Sequence, residues 1–282
     1  MLTFEDFKGR DPAWCPGCGN FAIRKAFIEA MIELQLEPHQ FVVVSGIGQA
    51  GKFPHYIRCH TFNGLHGRAI PVATGIKLAN HKLKVFVVTG DGDCYGEGGN
   101  HLIHAIRRNI DIKVFVHNNQ IYGLTKGQAS PTSVVGMVTK TQPFGVISEP
   151  LNPISLAIGL GASFVARGFA GDIEELRKLI KEAVMHRGFA LLDILQPCVT
   201  FNKINTYEWY KQRIYYIEKD YDPTNRELAI KKSLEWEDGI PLGIIYLKQG
   251  PTFEDRNPIL SKGPIVEKKP KIEKVKNLIA IL

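Results

Sequence analysis

Short apolar runs alternate with segments of helical periodicity along the first two-thirds of the chain. The apolar runs predict four strands, at residues 41–44, 85–88, 112–116 and 190–195. The helical pattern covers residues 21–34, 101–108 and 172–186. Asp172 begins the last of these with a helix-capping pattern. Together they predict an α/β fold, a doubly wound and mostly parallel sheet with helices on both faces.

The alternation weakens after about residue 205. An aromatic and charged stretch follows, at Tyr207, Trp209, Tyr210, Tyr215 and Tyr216, and proline and lysine are then frequent. We therefore expect two parts. Residues 1–205 form a domain, and residues 206–282 form an irregular C-terminal extension that wraps the core or contacts another subunit.

The net charge of the chain is positive, 35 − 28 = +7, and much of the excess lies in this extension. The lysines concerned are Lys262, Lys268, Lys269, Lys271, Lys274 and Lys276. Glutamates interrupt the run and no aromatic residue interleaves with it, which favours a solvated tail or a contact with another subunit over nucleic-acid binding.

The composition is typical of a globular protein, with 44% hydrophobic and 22% charged residues. No apolar stretch is long enough to cross a bilayer, and the first ten residues lack a secretory signal, so we expect a cytoplasmic protein without a membrane partner. The five cysteines are an odd number. Together with the Cys15-Pro-Gly-Cys18 spacing, they favour metal or redox chemistry over a disulfide framework.

Small and polar residues follow the predicted strands at their carboxyl ends. The sequences are Ser45-Gly46-Ile47-Gly48, Gly90-Asp91-Gly92-Asp93, Asn118-Asn119 and Gln196-Pro197-Cys198. The carboxyl ends of parallel strands share one edge of a sheet, and such folds bind ligands at that edge. We therefore expect these loops to form a single site.

Asp91 and Asn119 could bind the magnesium ion of a diphosphate. The glycines beside Asp91 let backbone N–H groups approach phosphate oxygens. Asn119 ends the next strand, so the side-chain oxygens of both residues and the carbonyl of Ile121 can coordinate Mg²⁺. The alternatives are that Asp91 only caps the next helix and that Asn118 and Asn119 only form a turn.

This spacing resembles the thiamine-diphosphate motif of transketolases, decarboxylases and 2-oxoacid oxidoreductases. Further motifs resemble one branch of that superfamily, the β subunits of 2-oxoacid:ferredoxin oxidoreductases of the archaeal two-subunit type. They lie at residues 14–20, 45–48, 65–69, 90–100, 118–128 and 197–198. The resemblance covers about residues 12–205 and implies a thiamine-diphosphate-binding domain of the diphosphate type.

The resemblance implies roles for the matching residues. Asp91, Asn119 and the Ile121 carbonyl would hold magnesium. The residues that would contact the cofactor are Ile47, Gly48, His66, Gly92, Asp93, Gly123 and Leu124, with Leu124 beneath it. Lys52 and Lys126 would lie near the 2-oxoacid, whose carboxylate needs a cationic partner. Each lysine is equally well explained as a solvated loop residue.

The implied activity is the coenzyme A-dependent oxidative decarboxylation of a 2-oxoacid such as pyruvate. Electrons would pass through an iron–sulfur cluster to ferredoxin, and thiamine diphosphate would supply the electron sink. All the motifs belong to the diphosphate half of such an enzyme. The resemblance therefore implies a heterodimer, in which the pyrimidine-binding domain and its activating glutamate belong to an α subunit.

Four cysteines hold a [4Fe–4S] cluster in this family. Cys15, Cys18 and Cys198 match three of them, which favours a cluster, but Gln49 stands where the fourth is expected. An amide is a poorer iron ligand than a thiolate. Cys59 or another residue could replace it, the cluster could be labile or have three irons, or it could be absent. An absent cluster would favour a non-oxidative decarboxylase or lyase subunit, and a cofactor-binding module without activity is the remaining alternative.

Overall fold

The computed structural model describes residues 1–237, 239–269 and 272–281, so that Lys271 of the basic tail lies outside the described residues. The strands are β1 (Phe41–Ser45), β2 (His60–Asn63), β3 (Lys84–Gly90), β4 (Lys113–Asn118), β5 (Ile121–Tyr122), β6 (Gln128–Ala129), β7 (Phe164–Phe169), β8 (Ala190–Leu195), β9 (Ile214–Tyr216) and β10 (Ile240–Leu247). The helices are α1 (Gly19–Glu33), α2 (Ala69–Ala79), α3 (Gly99–Arg108), α4 (Pro153–Gly159), α5 (Ile173–Met185), α6 (Tyr207–Lys211), α7 (Arg226–Ser233), α8 (Phe253–Arg256) and α9 (Ile272–Ile279).

Eight of the strands form one sheet, in the order β2-β1-β3-β4-β8-β7-β10-β9. The pairs from β2 through β7 are parallel, and β10 is antiparallel to β7. This confirms the predicted α/β fold, and the four predicted strands correspond to β1, β3, β4 and β8. Because the chain leaves β1 towards β2 on one side and returns to β3 on the other, a crevice is expected at the carboxyl ends of these strands.

Helices cover both faces of the sheet, as its continuous apolar strands require. Helices α1 and α5 pack on one face, and α2, α3 and α4 pack on the other. On the first face Phe27 of α1 contacts the rings of Phe41, Phe53, Phe86 and Phe115, with ring centroids 5.3–6.1 Å apart. Burying an aromatic side chain of this kind contributes about 3 kcal/mol, so this helix is fixed on the sheet mainly by its apolar side.

The predicted helix at residues 172–186 is α5. Its N-cap is Asp172, whose carboxylate accepts a hydrogen bond from the Glu175 amide at 3.1 Å. This bond satisfies one of the free N–H groups of the first turn, which is the physical basis of the capping pattern in the sequence.

The C-terminal extension is partly regular. Its strand β10 lies between β7 and β9, and α7 packs against α4 and β10. Pro241 and Gly243 interrupt the apolar run of β10, and the register shifts by a residue between Ile244 and Tyr246. These interruptions hide the strand in the sequence pattern. The division at residue 205 stays a prediction. Among the described residues, no helix combines the length and the apolar character needed to span a membrane.

Candidate functional site

A cleft lies at the carboxyl ends of β1, β3 and β4. The short hairpin β5–β6, which follows β4, forms one wall. The residues predicted to bind the cofactor and magnesium all line this cleft, namely Ile47, Gly48, His66, Asp91, Gly92, Asp93, Asn119, Ile121, Gly123 and Leu124. The structure thus brings these ten residues together, although their individual roles stay predictions.

Asp91 directly follows β3 and is buried in the cleft, with 2% of its surface exposed. Its carboxylate accepts hydrogen bonds from the Ser130 hydroxyl at 2.5 Å and the Thr132 hydroxyl at 2.7 Å. Burial raises the pKa of Asp91 to about 6, and these two hydrogen bonds oppose the rise. A cation beside it would offset the cost of the buried charge, so the residue fits a metal ligand.

Asn119 adds a second oxygen to the same cleft. Its side-chain oxygen accepts a hydrogen bond from the Ile121 amide at 3.1 Å, which fixes the turn that leads into β5. Asp91, Asn119 and Ile121 all line the cleft. A carboxylate, an amide oxygen and a backbone carbonyl are the hard oxygen donors that Mg²⁺ prefers.

The Asp93 side chain connects three loops that are distant in sequence. Its carboxylate accepts hydrogen bonds from the Ile47 amide at 3.2 Å, the Gly67 amide at 2.7 Å and the Thr89 hydroxyl at 2.6 Å. The Nδ1 atom of His66 lies 2.5 Å from the same carboxylate. The loops after β1 and β2 are therefore held against the end of β3 by one buried acid.

Gly92 allows the ring of Tyr122 to lie directly against the loop after β3. A Cβ atom at Gly92 would lie 2.1 Å from Cε1 of Tyr122, a distance that no side chain can accommodate without displacing the ring. The Tyr122 hydroxyl donates to Glu97 at 3.1 Å, and burial, with Glu97, raises the pKa of Tyr122 well above its usual value. The Gly-Asp-Gly glycine is thus required by close packing inside the cleft.

The loop between β5 and β6 carries two of the predicted catalytic residues. Leu124 lines the cleft and is 39% exposed. Lys126 is exposed and has a φ of +74°, which is unusual for a residue with a side chain. Neither Lys126 nor Lys52, which lies half-buried in the 3₁₀ helix Ala50–Tyr56, is among the residues that line the cleft. The backbone N–H of Lys126 donates to the carbonyl of Gly123 at 3.3 Å, so this lysine lies next to the cleft, and the roles of both lysines stay predictions.

A second, smaller cavity adjoins the cleft, and the predicted cluster residues line it. Cys15, Cys18, Cys198 and Gln49 all line it. The Cys18 thiol accepts a hydrogen bond from the Gln196 amide at 3.4 Å. Burial, and then the neighbouring thiols of Cys198 and Cys15, raise the pKa of Cys18 to about 11. A bound metal would reverse this effect by stabilising the thiolate.

The donor atoms around this cavity are of the type that binds iron. They are spread around the cavity and do not converge on one point. Among the described residues, no three His, Cys, Asp or Glu side chains stand close enough together to hold a single metal ion. Three thiols do line one cavity, and the side-chain oxygen of Gln49 is buried without a hydrogen-bond partner in the described part of the chain. Thiols and an unpaired polar atom around a cavity fit a cluster better than a single ion.

The other two cysteines lie outside this cavity. Cys59 precedes β2, and its thiol donates to the His60 carbonyl at 3.3 Å. Strand β2 runs parallel to β1, so Cys59 lies near the amino-terminal edge of the sheet, opposite the cleft. Cys94 is buried in the apolar core, as a small apolar residue would be. Cys59 was the nearest candidate in sequence for a fourth cluster ligand, and its position in the fold argues against that role.

Three supporting contacts of the site were not predicted from the sequence. Ser130 and Thr132 donate to Asp91 from 39 and 41 residues away, and the Trp14 indole donates to the Gln49 carbonyl at 2.8 Å. The only local signal was the hydroxyl-rich sequence Ser130-Pro-Thr-Ser133, which is equally typical of a turn.

Two family models match the chain. Residues 42–194 match the C-terminal TPP binding domain of thiamine pyrophosphate enzymes, and residues 198–262 match the C-terminal region of the pyruvate ferredoxin oxidoreductase beta chain. Thiamine pyrophosphate is thiamine diphosphate, so the first match covers the strands that form the cleft.

Curated proteins and a solved structure are similar to the chain over most of its length. The 2-oxoacid:ferredoxin oxidoreductase subunit beta of Sulfolobus sp is 51% identical over 260 residues, covering 86% of this chain and 84% of that protein. The protein of the same name from Saccharolobus solfataricus is 49% identical with the same coverage. The 2-oxoglutarate:ferredoxin oxidoreductase from Magnetococcus marinus, solved with 2-oxoglutarate, coenzyme A and succinyl-CoA bound, superposes with a TM-score of 0.91 at 36% identity, over 99% of this chain and 96% of that one.

Proposed function

The chain belongs to the family of 2-oxoacid:ferredoxin oxidoreductase β subunits, so it is one subunit of an oxidoreductase and has a thiamine-diphosphate-binding domain. We propose the following reaction and the following roles for its residues. The proposed reaction is the coenzyme A-dependent oxidative decarboxylation of a 2-oxoacid, with ferredoxin as the electron acceptor. The observation that carries the proposal is the single cleft shared by the ten predicted cofactor and magnesium residues.

Asp91, Asn119 and the carbonyl of Ile121 would hold the magnesium ion. Asp91 is suited to this because its buried carboxylate has two hydroxyl partners and forms no ion pair within the described residues. Magnesium would neutralise both this carboxylate and the diphosphate, which otherwise repel each other. The glycines of the loop after β3 would let its backbone N–H groups approach the phosphate oxygens.

The apolar residues of the cleft would hold the ring end of the cofactor. Ile47 and Leu124 are each 39% exposed, which is high for apolar residues inside a cleft. Bound thiamine diphosphate supplies the electron sink for decarboxylation. Its rings would cover both side chains and exclude water from that part of the cleft, and Asp93 would keep His66 in a fixed orientation beside them.

Lys52 and Lys126 would bind the carboxylate of the 2-oxoacid, as the family resemblance implies. Lys126 lies on the exposed loop between β5 and β6, and its left-handed backbone conformation is typical of residues held in place for a function. Lys126 follows Thr125, which lines the cleft, but neither lysine lines the cleft of the isolated chain. The proposal therefore assigns both lysines to the assembled enzyme.

Cys15, Cys18 and Cys198 would hold the iron–sulfur cluster, which supplies a one-electron carrier to ferredoxin when it is bound. Their cavity shares Gln49, Asn119 and Gly123 with the cleft. The cluster and the cofactor would therefore lie on opposite sides of a thin wall. That arrangement suits electron transfer from one to the other.

An α subunit would complete the site with a pyrimidine-binding domain and an activating glutamate. This is supported by the apolar surface that the chain leaves exposed beside the cleft. Leu65, the neighbour of His66, is 75% exposed, and all four residues of the edge strand β2 are exposed, including Phe62 at 46%. Apolar surface of this kind marks contacts with another chain. We place the assembled enzyme in the cytoplasm.

The magnesium assignment is tested by Asp91→Ala in the complex of both subunits. The substitution removes one partner of a buried charge pair, which costs about 3 kcal/mol or more of binding free energy. The Mg²⁺-dependent affinity for thiamine diphosphate should therefore fall more than about a hundredfold. Isothermal titration calorimetry measures it, and Asp220→Ala, in an exposed turn, is the control. Unchanged affinity in Asp91→Ala would exclude the assignment.

Gln49 favours a second candidate, a non-oxidative decarboxylase or lyase subunit, because it removes one of the expected thiolates. The two functions differ in iron. Anaerobically purified enzyme should show the visible absorption of thiolate–iron bonds if it is an oxidoreductase, and a colourless protein with decarboxylase activity would support the second function.

A further inference from the structure

Gln49 lies in the wall between the cysteine cavity and the cofactor cleft, and it lines both. Its backbone is fixed, because its carbonyl accepts the hydrogen bond from the Trp14 indole at 2.8 Å. A Cβ atom built on Gly123 would lie 3.8 Å from Cγ of Gln49 and 4.0 Å from the sulfur of Cys198. The Gln49 side chain is therefore close to the predicted cluster ligands.

The side-chain oxygen of Gln49 has no hydrogen-bond partner in the described part of the chain, although it is buried. Buried polar atoms are nearly always paired, because an unpaired one loses its bonds to water and gains nothing in return. The cavity beside this oxygen is lined by three thiols. A partner that suits both the thiols and the oxygen is a metal centre.

We propose that the amide oxygen of Gln49 is the fourth protein ligand at this centre, an inference that rests on the proposed cluster function. Cys15, Cys18 and Cys198 would each bind one iron through a thiolate. The fourth iron would be bound by a neutral oxygen, a weaker ligand for iron in a sulfide cluster than a thiolate. The site is then built to hold three irons firmly and one iron exchangeably.

The fourth iron would be released when the cluster is oxidised by one electron. A one-electron oxidant such as ferricyanide removes one electron from the [4Fe–4S]²⁺ form, and Gln49 releases one Fe²⁺ to solution. A [3Fe–4S]⁺ form remains on the three cysteines, so that charge, iron and sulfide are conserved. With cysteine at position 49, the same iron would be retained by a thiolate.

The experiment uses the complex of both subunits, purified without oxygen, with glutamine, cysteine or leucine at position 49. Each protein is treated with ferricyanide and a chelator, and iron and acid-labile sulfide are then measured per complex. The natural protein should lose about one of four irons and keep its sulfide. Gln49→Cys should lose none, and Gln49→Leu should hold about three irons before any treatment. Cys59→Ser, outside the cavity, is the matched control and should behave as the natural protein.

Electron paramagnetic resonance gives an independent measure, because the oxidised three-iron form is paramagnetic and the oxidised four-iron form is not. The signal should appear in the treated natural protein, be present in Gln49→Leu from the start, and be missing from Gln49→Cys. If the natural protein retains its irons as firmly as Gln49→Cys, or if Gln49→Leu behaves as the natural protein, Gln49 is not a ligand and the cluster function stands. If no variant binds iron above the Cys198→Ser level, the cluster function fails as well.

Discussion

Replacing Asp93 should separate its role in connecting the loops from the effect of its charge. The carboxylate is 3% exposed and accepts from two backbone amides, of Ile47 and Gly67, and from the Thr89 hydroxyl. Asp93→Ala removes the acceptor from these three donors and also the contact with His66. Asp93→Asn keeps the shape of the side chain and removes only the charge.

The two substitutions should differ by a predictable amount. Each buried donor left without an acceptor costs about 1–3 kcal/mol, and water that enters the cleft recovers part of this, so Asp93→Ala should destabilise by about 3–5 kcal/mol. In Asp93→Asn the amide oxygen can still accept from Ile47 and Gly67, while its NH₂ group donates to Thr89, whose hydroxyl can rotate. The loss of charge then costs about 1–2 kcal/mol.

Urea unfolding of the chain, followed by tryptophan fluorescence, measures both values. Thr89→Val is a useful control, because it removes one of the three donors and should cost about 1 kcal/mol. The reasoning would be refuted if Asp93→Ala and Asp93→Asn were equally stable, because the contacts of the carboxylate with the loops would then contribute nothing beyond its charge.

Two further predictions concern packing and pH. Gly92→Ala should lower the affinity for thiamine diphosphate about tenfold or more, because the added Cβ displaces the Tyr122 ring. Gly75→Ala is the control for the same calorimetry and should have no effect, because a Cβ at that position meets nothing within 4 Å. Burial, and then Lys113, lower the pKa of His186 to about 4 in the folded chain. Because the unfolded chain takes up the proton first, near pH 6.5, this contribution to stability is present above that pH and is lost as the pH falls towards 4. With allowance for the partial exposure of His186, the loss of unfolding free energy is about 1 kcal/mol at pH 5. The urea midpoint of His186→Gln should therefore depend less on pH than that of the natural protein. An equal dependence on pH in both proteins would contradict this prediction.

The position of the cleft could be predicted from sequence because it depends on strand order. Each of the loops at Gly48, Asp91 and Asn119 follows an apolar run, and the carboxyl ends of parallel strands must meet at one edge. Periodicity reports strands directly, so these residues came together as expected. Their chemistry, in contrast, was inferred from residue types and family resemblance.

Contacts that depend on loop conformation could not be predicted. Asp93 was expected to contact the cofactor, and in the structure its side chain connects the loops 46 and 26 residues earlier. No repeat or spacing marks such a contact, because it arises only when the strands are in place. The same holds for Thr132 beneath Asp91 and for the exposed position of Lys126 at the tip of its loop.

Strand β10 was also not predicted, because its own residues interrupt the sequence pattern of a strand. Five of its eight residues are buried, but Pro241 and Gly243 break the apolar run. Strand β10 lies one strand in from the sheet edge, and it accommodates both residues because it pairs with the short β9 on one side and shifts its register against β7 on the other. The hydrophobic pattern contains no information about the strands that pair with β10, so it predicts an irregular extension for this segment.

The shared wall of the two cavities has a consequence for how this chain can change in evolution. A methyl group at Gly123 would touch Gln49, Asn119 and Cys198 at 3.8, 3.9 and 4.0 Å, so alanine fits there but a larger side chain has to displace one of the three. Substitutions at positions 49 and 123 are then not independent, because each alters the space available to the other. A lineage that exchanges glutamine for another residue at position 49 changes both cavities in one step, and compensating changes should be inherited together with it.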